Sequence, residues 1–210
     1  KDPKDFLLEM IGPARIVDPG KQVTTPWWNY GEPSETFPVD TGRLRKVVEL
    51  AAEKGEWGKK LPKGQGLGIA AHRSFVSYVA TVVHVVVGDK GTISIPRVDT
   101  AIDCGYCVHP ERVSSQMEGA AVMGLTLAKY GAITLKNGAV EQSNFHDFQL
   151  VRINESPLDT RVHIVPHGID VPPSGVGEPG VPPFAPALCN AIFAATGKRI
   201  RELPIGNQLA

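Results

Sequence analysis

The spacing of apolar residues predicts four helices. Apolar side chains recur three or four positions apart, which is the period of a helix with one buried face. The predicted helices lie at residues 5–11, 42–53, 110–130 and 187–196. Asp40 and Thr41 stand before the second helix as capping residues, and Pro110 suits the first turn of the third.

β-branched and aromatic residues indicate a sheet in the middle of the chain. Residues 75–87 and 92–100 are separated by Gly-Asp-Lys-Gly, which predicts an antiparallel hairpin and the start of the sheet. Asn137-Gly138 predicts a second hairpin, and residues 161–166 alternate as a further strand. Because helices and antiparallel hairpins alternate without regular βαβ units, the predicted class is α+β, with an antiparallel or mixed sheet packed against helices, the long third helix among them.

Two long stretches lack a periodic pattern. Residues 12–37 are rich in proline and glycine and carry the pair Trp27-Trp28, and residues 167–186 are similarly irregular. The first stretch is too long to be a simple connector. If its aromatic side chains form an exposed patch, they indicate contact with a partner or self-association of the chain.

Composition limits the classes of function. The 210 residues are 42% hydrophobic and 21% charged, which is enough for a folded core. Twenty-two basic residues balance 22 acidic ones, so no long-range field draws in nucleic acid, and no nucleic-acid partner is expected. The longest apolar run, residues 78–87, is shorter than the roughly 18 residues that span a bilayer. Three cysteines do not indicate a disulfide scaffold, and the compartment stays unassigned.

Residues 175–180, Gly-Val-Gly-Glu-Pro-Gly, place one carboxylate inside a turn with almost no other polar side chain. Such a rigid turn can hold Glu178 at the wall of a site, where a carboxylate can act as a general base. A glutamate in an ordinary turn that faces water is the alternative interpretation. Composition alone does not decide between the two.

Small residues mark one face of the third predicted helix. Gly119, Ala120, Ala121 and Gly124 leave that face nearly bare, although glycine costs a helix about 1 kcal/mol relative to alanine. Another backbone or a flat ligand can approach closely there. Gln116 shares a face with Gly119, and its amide can donate and accept hydrogen bonds with a polar heterocycle. A solvent-facing glutamine is the alternative.

Three further patterns bear on metal, phosphate and nucleophilic sites. Cys104 and Cys107 have the spacing of a zinc knuckle, but a closed zinc site needs four ligands and the sequence has no second pair, so no metal ligand is predicted. Residues 64–68 resemble a glycine-rich phosphate loop without its third glycine, which favours a flexible lead into the first strand. The six histidines are too scattered to predict a Ser/His/Asp arrangement.

Ordered motifs along almost the whole chain carry a resemblance to one family. They lie at residues 68–70, 74–85, 101–105, 116–119, 142–148, 175–180, 186–192 and 195–204. In this order they resemble the xanthine oxidase type of molybdenum hydroxylase, and within it the isoquinoline 1-oxidoreductase β-subunit group. Residues 12–37 have no counterpart in the family pattern.

The resemblance implies roles for particular residues. Glu178 is implied to be the catalytic base that activates the attacking hydroxyl at the molybdenum. Gln116 is implied to contact the pterin, with Gly119 leaving room for it. Gly175, Gly177 and Asn144 are further candidates for cofactor contacts.

The resemblance also implies an architecture. Residues 1–210 correspond to the C-terminal part of a molybdopterin-binding domain, with a helical and loop lead-in at residues 1–60 and the sheet, helices and active-site motifs at residues 61–210. The expected cofactor is molybdenum-molybdopterin in its cytosine dinucleotide form. The glycine-rich Gly-Gly-Gly-Phe-Gly motif and the second glutamine loop of the family are absent from this sequence. The chain by itself is therefore not expected to hold the cofactor tightly or to be active.

The implied reaction is hydroxylation, with water as the oxygen source, of a carbon in an isoquinoline-like N-heteroaromatic compound or an aldehyde. The expected partners are the upstream part of the same large subunit, a [2Fe-2S] small subunit that receives the electrons, and the small-molecule substrate. A non-catalytic remnant or interaction module with the same fold is the alternative.

Overall fold

The computed structural model describes residues 1–21 and 23–209, which form four α-helices and eight strands. In chain order these elements are α1 (Pro3–Ile11), β1 (Ile16–Val17), β2 (Val39–Asp40), α2 (Thr41–Lys54), β3 (Gln65–Ser74), β4 (Ser77–Val87), β5 (Ile93–Asp103), α3 (Pro110–Lys129), β6 (Leu135–Lys136), β7 (Ala139–Val140), β8 (Thr160–Ile164) and α4 (Val181–Thr196). Within the described residues, none of the helices is both long and apolar enough to cross a membrane.

The main sheet has the strand order β3-β4-β5-β8. β3, β4 and β5 pair antiparallel, whereas β8 pairs with β5 in parallel after the chain has crossed over through α3. The sheet is therefore mixed, and the predicted α+β class is confirmed. Asn137 and Gly138 both have positive φ in the predicted β6–β7 hairpin, as a tight two-residue turn requires.

The main sheet lies between two layers of helices. Apolar residues of β4 that point to one face pack against α2, and those that point to the other face pack against α3 and α4. Asp40 caps α2 by accepting hydrogen bonds from the backbone N–H groups of Gly42 and Arg43. The predicted packing of the third helix on the sheet is confirmed, and α4 adds a second helix on the same face.

The sheet begins one strand earlier than the sequence predicted. Residues 64–68 are predicted to be a flexible lead into the first strand, but residues 65–68 belong to β3. Their glycines allow a helix to pack closely on the strand. A Cβ atom on Gly68 would lie 2.1 Å from the carbonyl oxygen of Ala187, and one on Gly66 would lie 2.4 Å from that of Ala191. Only glycine lets α4 approach β3 this closely.

We expect Gly68→Ala to destabilise the fold. The added methyl would overlap the backbone of α4 at Ala187 and Ala191, so the helix has to move away from the sheet. Overpacking of this kind typically costs about 1–3 kcal/mol. The free energy of unfolding, measured with urea, checks this expectation. An unchanged midpoint would show that α4 does not lie on β3.

The last helix begins six residues before the predicted start at residue 187. Val181–Thr196 is helical throughout, although it contains Pro182, Pro183 and Pro186. Proline is tolerated in a first turn, where the N–H groups have no intrahelical partner, and Pro186 costs the helix one hydrogen bond. Gly197 ends the helix with a left-handed conformation.

Candidate functional site

An open cavity of about 560 Å³ lies between α3, the β3–β4 turn and the start of α4. Apolar side chains form most of its wall: Tyr30, Phe75, Ala120, Met123, Val181 and Pro182. The volume is in the range that binds cofactors and small molecules. Four of the residues singled out from the sequence, Gln116, Gly119, Gly177 and Glu178, also line this cavity.

Glu178 stands three residues before the start of α4 and is exposed on the wall of the cavity. Its carbonyl oxygen accepts a hydrogen bond of 3.0 Å from the backbone N–H of Val181, which forms the first turn of α4. The next two residues, Pro179 and Gly180, are buried, and a Cβ on Gly180 would lie 2.8 Å from the Cβ of Ala120. The loop is thus packed against α3 immediately after the carboxylate. The N-terminal end of α4 favours a negative charge here by about 0.3–1 kcal/mol.

Gln116 joins α3 to the Glu178 loop. Its Nε2 donates a hydrogen bond of 3.1 Å to the carbonyl oxygen of Gly177, the residue before Glu178. One turn along the same helix, a Cβ on Gly119 would meet no atom within 4 Å. The bare helix face predicted from the sequence is therefore open at Gly119, whereas Gly124 is filled by Phe184, to whose Cβ an added Cβ would approach within 2.6 Å.

Gly175 supports the loop and is not among the lining residues of the cavity. Its N–H donates a hydrogen bond of 3.0 Å to the carbonyl oxygen of Phe75, and an added Cβ would lie 2.7 Å from the Cβ of Phe75. Asn144 lies in a separate exposed turn, where its Oδ1 accepts a hydrogen bond from the N–H of Phe145. The structure does not bring Asn144 to the cavity, so its role as a cofactor contact stays a prediction.

Several lining residues were not predicted from the sequence. Tyr30, from the irregular stretch before α2, packs its ring 5.2 Å from that of Phe75. Phe75 and Val76 form the β3–β4 turn with φ values of 50° and 54°. A left-handed conformation costs a non-glycine residue about 1–3 kcal/mol and persists only where the surroundings enforce it, and such strain clusters at functional sites.

His72 and Ser74 follow Gly66 and Gly68 at every second position of β3, so they lie on the face that meets α4 and the cavity. Burial lowers the pKa of His72, which keeps its imidazole neutral at neutral pH. Ser74 is buried, and its hydroxyl has no hydrogen-bond partner within the described residues. A prediction of β3 as a strand would have placed both residues on this face.

The C-x-x-C pair lies near a different, smaller cavity. Cys104 is buried and Cys107 half-buried, and both are free thiols. Burial raises the pKa of Cys104 to about 12, so this thiol is not a ready nucleophile. Among residues 1–21 and 23–209, no group of three or more His, Cys, Asp and Glu side chains is placed to hold a metal ion.

Comparison with known proteins finds a matching family model and several relatives of this chain. A family model described as a molybdopterin cofactor-binding domain matches residues 43–157, more than half of the chain. Isoquinoline 1-oxidoreductase subunit beta of Brevundimonas diminuta is 32% identical over 168 residues, which are 78% of this chain and 21% of the relative. A membrane-bound aldehyde dehydrogenase of Gluconacetobacter polyoxogenes, whose name specifies pyrroloquinoline-quinone, is 30% identical over 214 residues, 98% of this chain and 25% of the relative.

Solved structures show the same fold. The quinoline 2-oxidoreductase of Pseudomonas putida 86 superposes on 63% of this chain and 18% of its own with a TM-score of 0.56 at 17% identity. The aldehyde oxidoreductase of Desulfovibrio gigas superposes on 63% of this chain and 15% of its own with a TM-score of 0.54 at 23% identity. The chain spans a quarter or less of the length of these relatives. It belongs to the molybdopterin cofactor-binding domain family, in agreement with its resemblance to molybdenum hydroxylases of the xanthine oxidase type.

Proposed function

We propose that this chain forms one wall of the cofactor site of a molybdenum hydroxylase and that Glu178 is its general base. The observation that carries the proposal is the hydrogen bond from Gln116 to the carbonyl oxygen of Gly177. This contact joins two motifs that lie 61 residues apart in the chain, and it does so at the cavity that Glu178 lines. A surface glutamine and a solvent-facing turn glutamate, the two alternatives, give no reason for this convergence.

The cavity fits the pterin end of the cofactor. A flat heterocycle needs a smooth wall and a few polar groups, and the wall offers the bare backbone at Gly119, the amide of Gln116 and apolar side chains. Within the described residues, neither lysine nor arginine lines the cavity. The phosphate groups of the cofactor, in the cytosine dinucleotide form that we propose, therefore need partners from elsewhere, and we assign these to the upstream part of the large subunit.

Glu178 contributes proton transfer. When bound, the cofactor supplies the redox chemistry of the reaction. One Oε of Glu178 accepts the proton of the attacking water-derived oxygen, while the Gln116 contact and the start of α4 hold the loop that carries this carboxylate. The substrate in this proposal is an N-heteroaromatic or aldehyde carbon, and the electrons leave through a [2Fe-2S] subunit.

We expect Gly119→Ala to stabilise the chain and to lower its cofactor content. Alanine is better than glycine in a helix by about 1 kcal/mol, and the new methyl meets no atom of the protein. The same methyl enters the space that we assign to the pterin. Urea unfolding of the chain measures the first effect, and molybdenum and pterin analysis of the assembled enzyme purified from its native host measures the second.

The molybdenum and pterin content of the wild-type protein distinguishes the proposal from its alternative. A complete hydroxylase carries both molybdenum and pterin, whereas a non-catalytic interaction module of the same fold carries neither. If the wild type holds both and Gly119→Ala retains them in full, the cofactor does not lie on this face of α3.

A further inference from the structure

Ser77 is completely buried at the start of β4, beside the loop that leads to Glu178. Its hydroxyl donates a hydrogen bond of 2.6 Å to the carbonyl oxygen of Gly175. Its Oγ also lies 2.6 Å from the Oγ of Ser174. Because a serine hydroxyl has a single proton, Ser174 is the donor in this second hydrogen bond.

Two backbone hydrogen bonds, one to the β3–β4 turn and one to the residue after β5, also fix the loop. The N–H of Gly175 donates to the carbonyl oxygen of Phe75 at 3.0 Å, and the N–H of Ser174 donates to that of Cys104 at 2.9 Å. Gln116 donates a hydrogen bond to the carbonyl oxygen of Gly177, two residues further along the chain. Residues 174, 175 and 177 are therefore anchored on three different elements, and Glu178 follows directly.

The β3–β4 turn is shaped to make these contacts. Phe75 and Val76 both take left-handed backbone conformations, which a β-branched residue such as Val76 strongly disfavours. This conformation presents the carbonyl oxygen of Phe75 to Gly175 and sets Ser77 beneath the loop. A conventional asparagine-glycine turn would make the same hairpin without strain, so the strain is linked to what the turn holds.

We propose that Ser77 is a positioning residue for the reaction, and that its hydroxyl sets the orientation of the Glu178 carboxylate through the backbone of residues 174–177. This inference rests on the proposed function of Glu178 as the base. Ser77 does not line the cavity and contacts neither cofactor nor substrate in this arrangement. Its removal should therefore change the rate of the chemical step and leave cofactor content and substrate affinity nearly unchanged.

The test is a double-mutant cycle in the assembled enzyme, with every rate expressed per bound molybdenum. We expect Ser77→Ala to lower kcat about 10- to 100-fold with little change in KM, because a misplacement of about 1 Å can cost 100-fold. Combined with Glu178→Gln, it should cause no further loss beyond about two-fold, since it acts only through that carboxylate. Losses that multiply, or a normal kcat in Ser77→Ala, would overturn the proposal.

Two further variants guard against a simple folding defect. Ser77→Cys keeps a weak donor of similar shape and should recover part of the kcat lost in Ser77→Ala. Ser174→Ala removes only the second hydrogen bond and should have a smaller effect than Ser77→Ala. Ser156→Ala is the matched control, because its hydroxyl bonds to the carbonyl oxygen of Arg152 in a distant turn. Equal losses in Ser156→Ala and Ser77→Ala would indicate a general structural effect and contradict the inference.

Amide hydrogen exchange in the chain itself gives a readout that does not depend on activity. Exchange at Gly175 should accelerate in Ser77→Ala while the amides of α4 keep their protection. No change at Gly175 would contradict the inference. The outcomes for the two proposals are separable: normal turnover in Glu178→Gln removes the proposed function, whereas loss of activity in Glu178→Gln with full activity in Ser77→Ala removes only the positioning role.

Discussion

Glu178→Gln is expected to lower turnover per bound molybdenum by about 100- to 10,000-fold, the usual loss for a positioned general base. The amide keeps the size of the side chain and most of its hydrogen bonding but cannot accept the proton. Because Gln116 contacts the loop through the carbonyl oxygen of Gly177 and not through the carboxylate, the loop should keep its shape. Molybdenum and pterin content should therefore match the wild type.

Steady-state kinetics with cofactor analysis on the same samples provide the measurement. Glu202→Gln is the matched control, because Glu202 is an exposed glutamate in the C-terminal segment and does not line the cavity. It should leave both turnover and cofactor content unchanged. Turnover near the wild-type value in Glu178→Gln would favour the alternative reading of a solvent-facing turn glutamate.

Local patterns were sufficient to predict much of the fold. The period of apolar residues located α2 and α3, and the turn residues located two hairpins, because in these elements neighbours in the sequence decide the structure. Self-association of the chain stays a prediction. Trp27 and Trp28 are 42% and 71% exposed, as an apolar patch requires. The parts that were missed depend on distant contacts. Gly66 and Gly68 suggest flexibility until α4 is placed on them.

The residues of the candidate site also fall into those that local sequence indicates and those that distant contacts determine. Glu178, Gln116 and Gly119 could be singled out because each stands in an unusual local sequence, and the structure brings them to one cavity. Tyr30 and Phe75 could not be predicted, because their contact joins a loop to a turn 45 residues later. It also depends on the left-handed backbone of the turn, which no residue type there indicates. Gly175 stands in the same unusual local sequence, but the structure places it against Phe75 and outside the lining of the cavity, so its role as a cofactor contact stays a prediction.

Breaking the buried ion pair between Arg43 and Asp103 is expected to have the largest effect on stability. Asp103 is 1% exposed at the end of β5, and the Arg43 guanidinium from α2 binds both of its carboxylate oxygens. His167, from the segment that leads toward Glu178, places Nε2 2.8 Å from Oδ1 of Asp103, at an angle unsuited to a regular hydrogen bond. This cluster joins α2 and the main sheet to the segment that leads to Glu178.

Arg43→Met should lower the free energy of unfolding by about 3–5 kcal/mol at neutral pH, because it leaves a carboxylate buried without its partner. Arg161→Met is the matched control, since Arg161 pairs with Asp159 at the surface, where both side chains are about half exposed. Loss of that pair should cost at most about 1 kcal/mol. Equal effects of the two substitutions in urea unfolding would show that the buried pair has no special role.

The pH dependence of stability gives an independent check on the same pair. Burial raises the pKa of Asp103, but hydrogen bonds from Arg43 and then the contact with His167 outweigh it, so the pKa lies below the ordinary 3.8. A carboxylate with a lowered pKa stabilises the fold above 3.8, and this contribution is lost as the pH falls through the folded-state pKa. In Arg43→Met the hydrogen bonds from Arg43 are lost while the burial remains, so the pKa of Asp103 is higher in the variant than in the wild type. The stability difference between wild type and variant should therefore shrink as the pH falls from the higher pKa of Asp103 in the variant to the lower pKa in the wild type. Arg43→Met combined with Asp103→Asn should recover much of the loss at neutral pH. A difference that stayed constant with pH would assign the effect to lost packing of the Arg43 side chain on Tyr78, whose ring centroid lies 4.9 Å from the guanidinium carbon.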